Sequence, residues 1–139
     1  MALEHRLLIY VFRQRVGGLE YLVERRWPAQ EFSWSPIPAE VGYCESIESA
    51  TRRSMADPWH APPPERLVDL RVCGHVTVGD LDLIDWGMGY RVRPSWEPRP
   101  VELGVRAEVA WQPLPVVMGL LEDEAARRAL FRLHVAAAE

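Results

Sequence analysis

The chain has 139 residues, 48% hydrophobic and 26% charged, with a net charge of −4. That is one domain's worth of sequence (1–139), with apolar material enough for a core without disulfides, and its acidic balance argues against a general nucleic-acid-binding surface. Glu4 and Arg6 interrupt the opening segment, and the apolar run behind them is too short to span a bilayer, so neither a signal peptide nor membrane attachment is expected.

Taken in order, His5–Arg13 carries a dense apolar run, Leu7 to Phe12, which fits a strand covered on both faces. Gly17-Gly18 marks a turn, and Glu20–Trp27 returns as a second strand. Pro28–Glu31 reads as a loop. Phe32–Ile37 reads as a short strand that Pro36 and Pro38 confine to an edge or an end. A helix is expected over Ser46–Ala56, with Ser46 as its N-cap, Glu48 in its first turn and Pro58 as its stop. Leu67–Val78 and Leu81–Arg93 alternate with a period near two around Gly79-Asp80 and form the clearest hairpin. Pro94–Pro100 reads as a loop with an exposed Trp96. Val105–Trp111 is a further strand, and Glu122–Ala138 is a closing helix with an apolar stripe from Ala125 to Ala136.

Cys44 and Cys73 lie far apart, without metal-ligand spacing, so two free, buried thiols in a reducing cytoplasm are expected. All sixteen basic residues are Arg, which fits GC-rich coding. The four histidines are scattered. His60 stands close to Asp57, and these two alone make an incomplete transition-metal site.

The order of strands, loop-helix and strands, together with the stretch GYCESIESATRRSMADPWH (Gly42–His60), resembles the Nudix hydrolases and their box, G-x5-E-x7-R-E-U-x-E-E-x-G-U with U aliphatic. Placing Glu45 on the first Glu puts Arg53 on the Arg and Met55 on an aliphatic position. Two other local matches accompany it. Leu22-Val23-Glu24-Arg25-Arg26 resembles the family's "LLvrR", and Glu108 to Leu114 resembles its "E-x-x-W-x-P-L". The resemblance implies a Nudix-type α/β/α sandwich, a mixed sheet flanked by helices. It also implies that Glu45 and Arg53 brace the loop against the helix.

The chemical positions depart from the family. Ser54 stands for the Glu after the Arg, Asp57 and Pro58 for the next two acids, His60 for the closing Gly and Ala39 for the opening one. In the family those glutamates hold Mg²⁺ or Mn²⁺ ions that neutralise a diphosphate and activate water. Ser54 offers a neutral oxygen and Pro58 none, so Asp57 is the one remaining box carboxylate for a metal, with Glu102 and Glu108 as further acidic candidates from the later strand and Glu97 behind them. The expectation is therefore a degenerate box: metal-dependent pyrophosphohydrolase activity weak or lost, and a ligand-binding or interaction role kept, with a homodimer as one form. The rival expectation is an active hydrolase of a nucleoside-diphosphate-linked substrate with relocated ligands. For a nucleotide-like small molecule the candidate contacts are Arg25, Trp34, Trp86 and Tyr90, with Trp96 a further aromatic and Arg26 and Arg91 further cations. Trp86 and Trp111 also sit where strand packing claims them first.

Overall fold

β1 (Ala2–Arg15) is the strand on which the sheet is assembled. The computed structural model describes residues 2–27, 33–99 and 106–138. Along Ala2 to Phe12, β1 pairs in parallel with β5 (Leu81–Arg91). On its other edge it is shared. Phe12 to Arg15 pair antiparallel with β2 (Gly18–Trp27), and Arg6 to Ile9 pair antiparallel with β3 (Ile37–Glu40). β4 (Arg66–Val78) and β6 (Arg106–Pro113) add antiparallel strands at the two ends, giving the order β4-β5-β1-β2-β6 with β3 beside β1. The sheet is mixed, as the family resemblance implies.

Both faces of β1 are covered, which is why its apolar run is continuous rather than alternating. Leu7, Ile9 and Val11 belong to one core cluster with Leu22 and with Ala50 and Met55 of α1 (Ile47–Ala56). Tyr10 and Phe12 belong to the other, with Tyr21, Val23 and Ala129, Leu130 and Leu133 of α3 (Glu124–Ala137). The pleat sends successive side chains to opposite faces, so one strand feeds two cores. Each fully buried large side chain contributes about 1.5–3 kcal/mol by leaving water. Among the described residues no helix is long and apolar enough to cross a membrane.

The structure corrects four expectations. The two thiols are free but not buried: Cys44 is exposed in the loop ahead of α1 and Cys73 is half-buried on β4. The C-terminal region is two helices, α2 (Leu114–Leu120) and α3, where a single helix over Glu122–Ala138 was expected. Pro115 sits in the first turn of α2, where its missing N–H costs nothing, and Asp123 caps α3 by accepting from the amide of Ala125. The third strand lies over Ile37–Glu40 rather than Phe32–Ile37. Before it, Ser35 makes one isolated bridge to Glu24, and Phe32, like the loop Pro28–Glu31, lies outside the described residues. Trp96 is 7% exposed and packs edge-on against Trp111 at 6.4 Å, rather than facing solvent. Its loop is pulled onto the sheet by the nearly buried Arg13, whose Nη1 donates to Glu97 Oε1 at 2.9 Å and lies 3.4 Å from the carbonyls of Pro94 and Trp96.

Candidate functional site

The box helix starts as expected. Ser46 Oγ accepts from the amide of Ser49 at 3.0 Å, satisfying one of the free N–H groups of the first turn. Ahead of it, Glu45 is held on three hydrogen bonds. Arg53 Nε donates to Oε2 at 2.8 Å, Arg53 Nη2 to Oε1 at 2.9 Å and the Gly42 amide to Oε1 at 2.8 Å. Arg53 Nη2 also donates to the carbonyl of Glu40 at 2.8 Å, tying the helix to the end of β3. These donors favour the charged carboxylate, the Arg53 side chain first and the Gly42 amide second, and lower its pKa to about 2. Gly42 permits the approach, because a Cβ there would lie 3.1 Å from Glu45 Oε1.

The opposite end of the box is built differently from the metal-holding pattern. α1 stops at Ala56, and Asp57 is its C-cap in extended conformation (φ −147°, ψ 120°). Asp57 and Pro58 are exposed and off the helix, while Ser54 is half-buried within the last turn. Three carboxylates on one helical face are what a hard divalent cation needs from this segment. Here that face supplies one hydroxyl and no carboxylate, and Glu45 is already engaged by Arg53. The donor set does not fit Mg²⁺ or Mn²⁺. Among the described residues no group of three or more His, Cys, Asp or Glu side chains is placed to hold a metal.

The structure does not bring Glu108 to this face. Glu108 pairs across the strands with Arg25, Arg25 Nη2 donating to it at 2.7 Å. Arg25 alternates with Tyr21 and Val23, the side of β2 that faces α3, whereas α1 covers the side of Leu22. Glu97 is spent on Arg13 and on Trp111, whose Nε1 donates to Oε2 at 3.2 Å. Glu102 lies outside the described residues.

A cleft of about 660 Å³ opens where β2 and β3 part from one another beside β1. Ala39 and Glu40 form its border with the box, and Leu121, Asp123 and Ala126 close it at the start of α3. Two guanidiniums enter it, each seated on a buried carboxylate. Arg6 donates through Nε and Nη2 to Asp85 at 2.7 and 3.0 Å, and Arg26 Nε lies 2.9 Å from Glu24 Oε1. Burial raises the pKa of Glu24, opposed by the adjacent Arg26. Two of the five N–H groups of Arg6 go to Asp85, so the fork keeps others to offer a ligand.

Of the four candidate ligand contacts, only Trp34 lines this cleft. Arg25 stands over the Trp34 ring at 4.5 Å, holding it from beside the cleft. Trp86 packs against the α1-side core and donates Nε1 to His5 Nδ1 at 3.0 Å. Tyr90 is buried and gives its hydroxyl to the carbonyl of Pro62 at 2.6 Å. Arg6, Asp85 and Asp123 were not singled out from sequence. Their one visible signal is polarity inside otherwise apolar strands and before a helix, and pairing partners 79 residues apart cannot be read from periodicity.

No protein-family model and no curated protein matches the chain. Solved structures do. A Nudix hydrolase of M. smegmatis, RenU, is 18% identical over 97% of this chain and 86% of its own, with a TM-score of 0.71. A C. elegans Ap4A hydrolase is 13% identical over 97% and 98%, with a TM-score of 0.73. The NUDIX domain of Shewanella oneidensis NrtR, crystallised with ADP ribose, is 13% identical over 95% and 88%, also at 0.73. The chain therefore has the Nudix fold across nearly its whole length.

Proposed function

We propose that this chain is a Nudix-fold binding protein that holds a nucleoside-bearing small molecule in the cleft and has lost efficient metal-dependent pyrophosphohydrolase activity. One observation carries the reading. The brace of the box is complete, Glu45 to Arg53 to the Glu40 carbonyl, while the helix face that must carry the metal ends in Ser54 and an extended Asp57-Pro58. The two halves of one short motif have separate fates, because the brace holds the loop and the acids serve only the reaction.

The cleft's chemistry supports a nucleoside end rather than a naked polyphosphate. Trp34 supplies a flat aromatic surface, Arg6 and Arg26 supply donors, and Asp85, Asp123 and Glu122 supply acceptors for base amines and ribose hydroxyls. Among the described residues five acids line it (Glu4, Glu40, Asp85, Glu122, Asp123) against two arginines, so without metal a chain of phosphates is disfavoured. The volume of about 660 Å³ is in the usual range for small-molecule sites.

Calorimetric titration with adenosine and with ADP-ribose in chelator tests this. Saturable binding of adenosine is expected for the wild type, and weaker binding of ADP-ribose, whose two phosphates meet the acidic lining. Trp34→Ala should lose about 1–3 kcal/mol of it, the value of a base stacked on an aromatic ring. Binding that appears only when Mg²⁺ or Mn²⁺ is added would contradict the proposal.

A further inference from the structure

We propose that the outer edge of β4 is an interface whose occupant is β4 of a second copy of this chain, paired antiparallel about a two-fold axis at Val76. The proposal does not rest on the reading of the cleft, whose lining takes no residue from β4. β4 ends the sheet on its side, so among the described residues nothing pairs with its outer edge. Such an edge presents free N–H and C=O groups, which proteins blunt with bulges, charges, prolines or a covering element. The first half of β4 is blunted in this way. Its pairing with β5 shifts register between Asp69 and Arg71 and again between Val72 and Gly74. Arg71 takes a left-handed backbone (φ 60°), and Arg132 of α3 donates Nη2 to the Leu70 carbonyl at 3.0 Å.

The second half has none of these devices. Residues 74–78 pair with β5 in unbroken register and contain no proline, carboxylate or guanidinium. Their one titratable side chain, His75, leans on Asp82 of the neighbouring strand at 3.4 Å. Val76 and Val78 are 48% and 60% exposed. They lie across from Leu83 and Leu81, and the pleat puts these four side chains on one face. α3 does not reach them. Ala125 in its first turn stands over Gly74, where a Cβ would lie 3.4 Å from Ala125 Cβ, and Leu133 stands over the Gly89–Val68 pair. The helix therefore runs along β4 away from Val78.

Self-complementarity selects a second copy as the occupant. Antiparallel pairing of one segment with itself makes each contact twice, as an isologous two-fold interface requires. Centred on Val76, it joins the valine patches of both copies and sets no carboxylate or guanidinium of residues 74–78 against its own kind. The charges at the two ends are complementary. Each Arg71 is brought to the turn end of the other copy's hairpin, where Asp80 is exposed. Among the described residues neither of these two side chains has a hydrogen bond or an ion pair of its own. Because α3 runs outward from the axis in both copies, the helices do not collide.

The test is sedimentation of the full chain over a dilution series across the micromolar range. Wild type should pass from monomer to dimer as concentration rises. Val76→Lys and Val76→Glu each set two like charges face to face at the axis, and each should raise the dissociation constant at least about tenfold. An equimolar mixture of the two variants should recover the dimer, because Lys then meets Glu; no partner other than a second copy gives that recovery. Phe131→Lys removes a larger exposed apolar side chain from α3 and should leave the constant within about twofold, as a distant site does. Hydrogen exchange of the wild type needs no variant. Amides within residues 74–78 should be protected at high concentration and lose that protection on dilution. A monomer throughout the series, a dimer that survives both charges, a mixture that stays monomeric, unchanged exchange in residues 74–78, or a dimer lost in Phe131→Lys would each overturn the proposal.

Discussion

At the scale of the residue, Glu45 is the side chain whose chemistry is most constrained. Its three hydrogen bonds all favour the anion and lower its pKa to about 2. A carboxyl whose folded pKa lies below its unfolded one stabilises the fold fully above the unfolded value and loses that contribution as pH falls toward the folded value. Unfolding in urea, followed from pH 6 down to pH 2, should therefore show a loss of stability between about pH 5 and pH 2 that is smaller in Glu45→Gln. Parallel curves for the two proteins would show that Glu45 is an ordinary solvated carboxylate. The pair was legible from spacing, because the box register places Glu45 and Arg53 eight residues apart. The Arg6–Asp85 pair was not, since nothing local links positions on two strands that meet only when the sheet forms.

At the scale of the element, α1 depends on its ends more than on its interior. It is ten residues long, too short to persist on propensity alone, and Ala50, Thr51 and Met55 hold it on the sheet. Removing the cap by Ser46→Ala should cost about 0.5–2 kcal/mol in the urea midpoint; no change would mean that the Glu45–Arg53 brace alone fixes the entry to the helix. Start and stop were readable because Ser46 and Pro58 act within a residue or two of themselves. α2 was not anticipated, although Pro113 and Pro115 at its start are compatible with a first helical turn. Trp96 was misread too. Its loop is rich in proline and looks solvated, but Arg13, 83 residues away, reaches across to the Trp96 carbonyl and covers the ring's side of the loop.

At the scale of the whole molecule, the sandwich leaves a cleft beside β3 and, among the described residues, no helix-borne carboxylate cluster at its edge. α3 closes the cleft at its first turn and packs mainly on β4, with Leu133 reaching Gly89 of β5: a Cβ at Gly89 would fall 2.5 Å from Leu133 Cδ1 and 3.3 Å from Val68 Cβ. Gly89→Ala should overpack that contact and lower stability by about 1–3 kcal/mol, measured as a shift in urea midpoint, and an unchanged midpoint would show that α3 docks loosely. Most strands and the box helix could be anticipated because periodicity and capping are local, and the mixed sheet because the family resemblance implies it. The position of the cleft could not, because it arises where β1 exchanges β2 for β3 as its partner. The central claim is that the brace of the box outlived its metal centre. It is tested most directly by steady-state turnover of nucleoside triphosphates, ADP-ribose and dinucleoside polyphosphates at millimolar Mg²⁺ and Mn²⁺. Loss of the metal ligands removes several kcal/mol of transition-state stabilisation, so rates on the order of 10³-fold or more below an efficient enzyme are predicted for every substrate. Turnover on the order of 1 s⁻¹ on any of them would contradict the account.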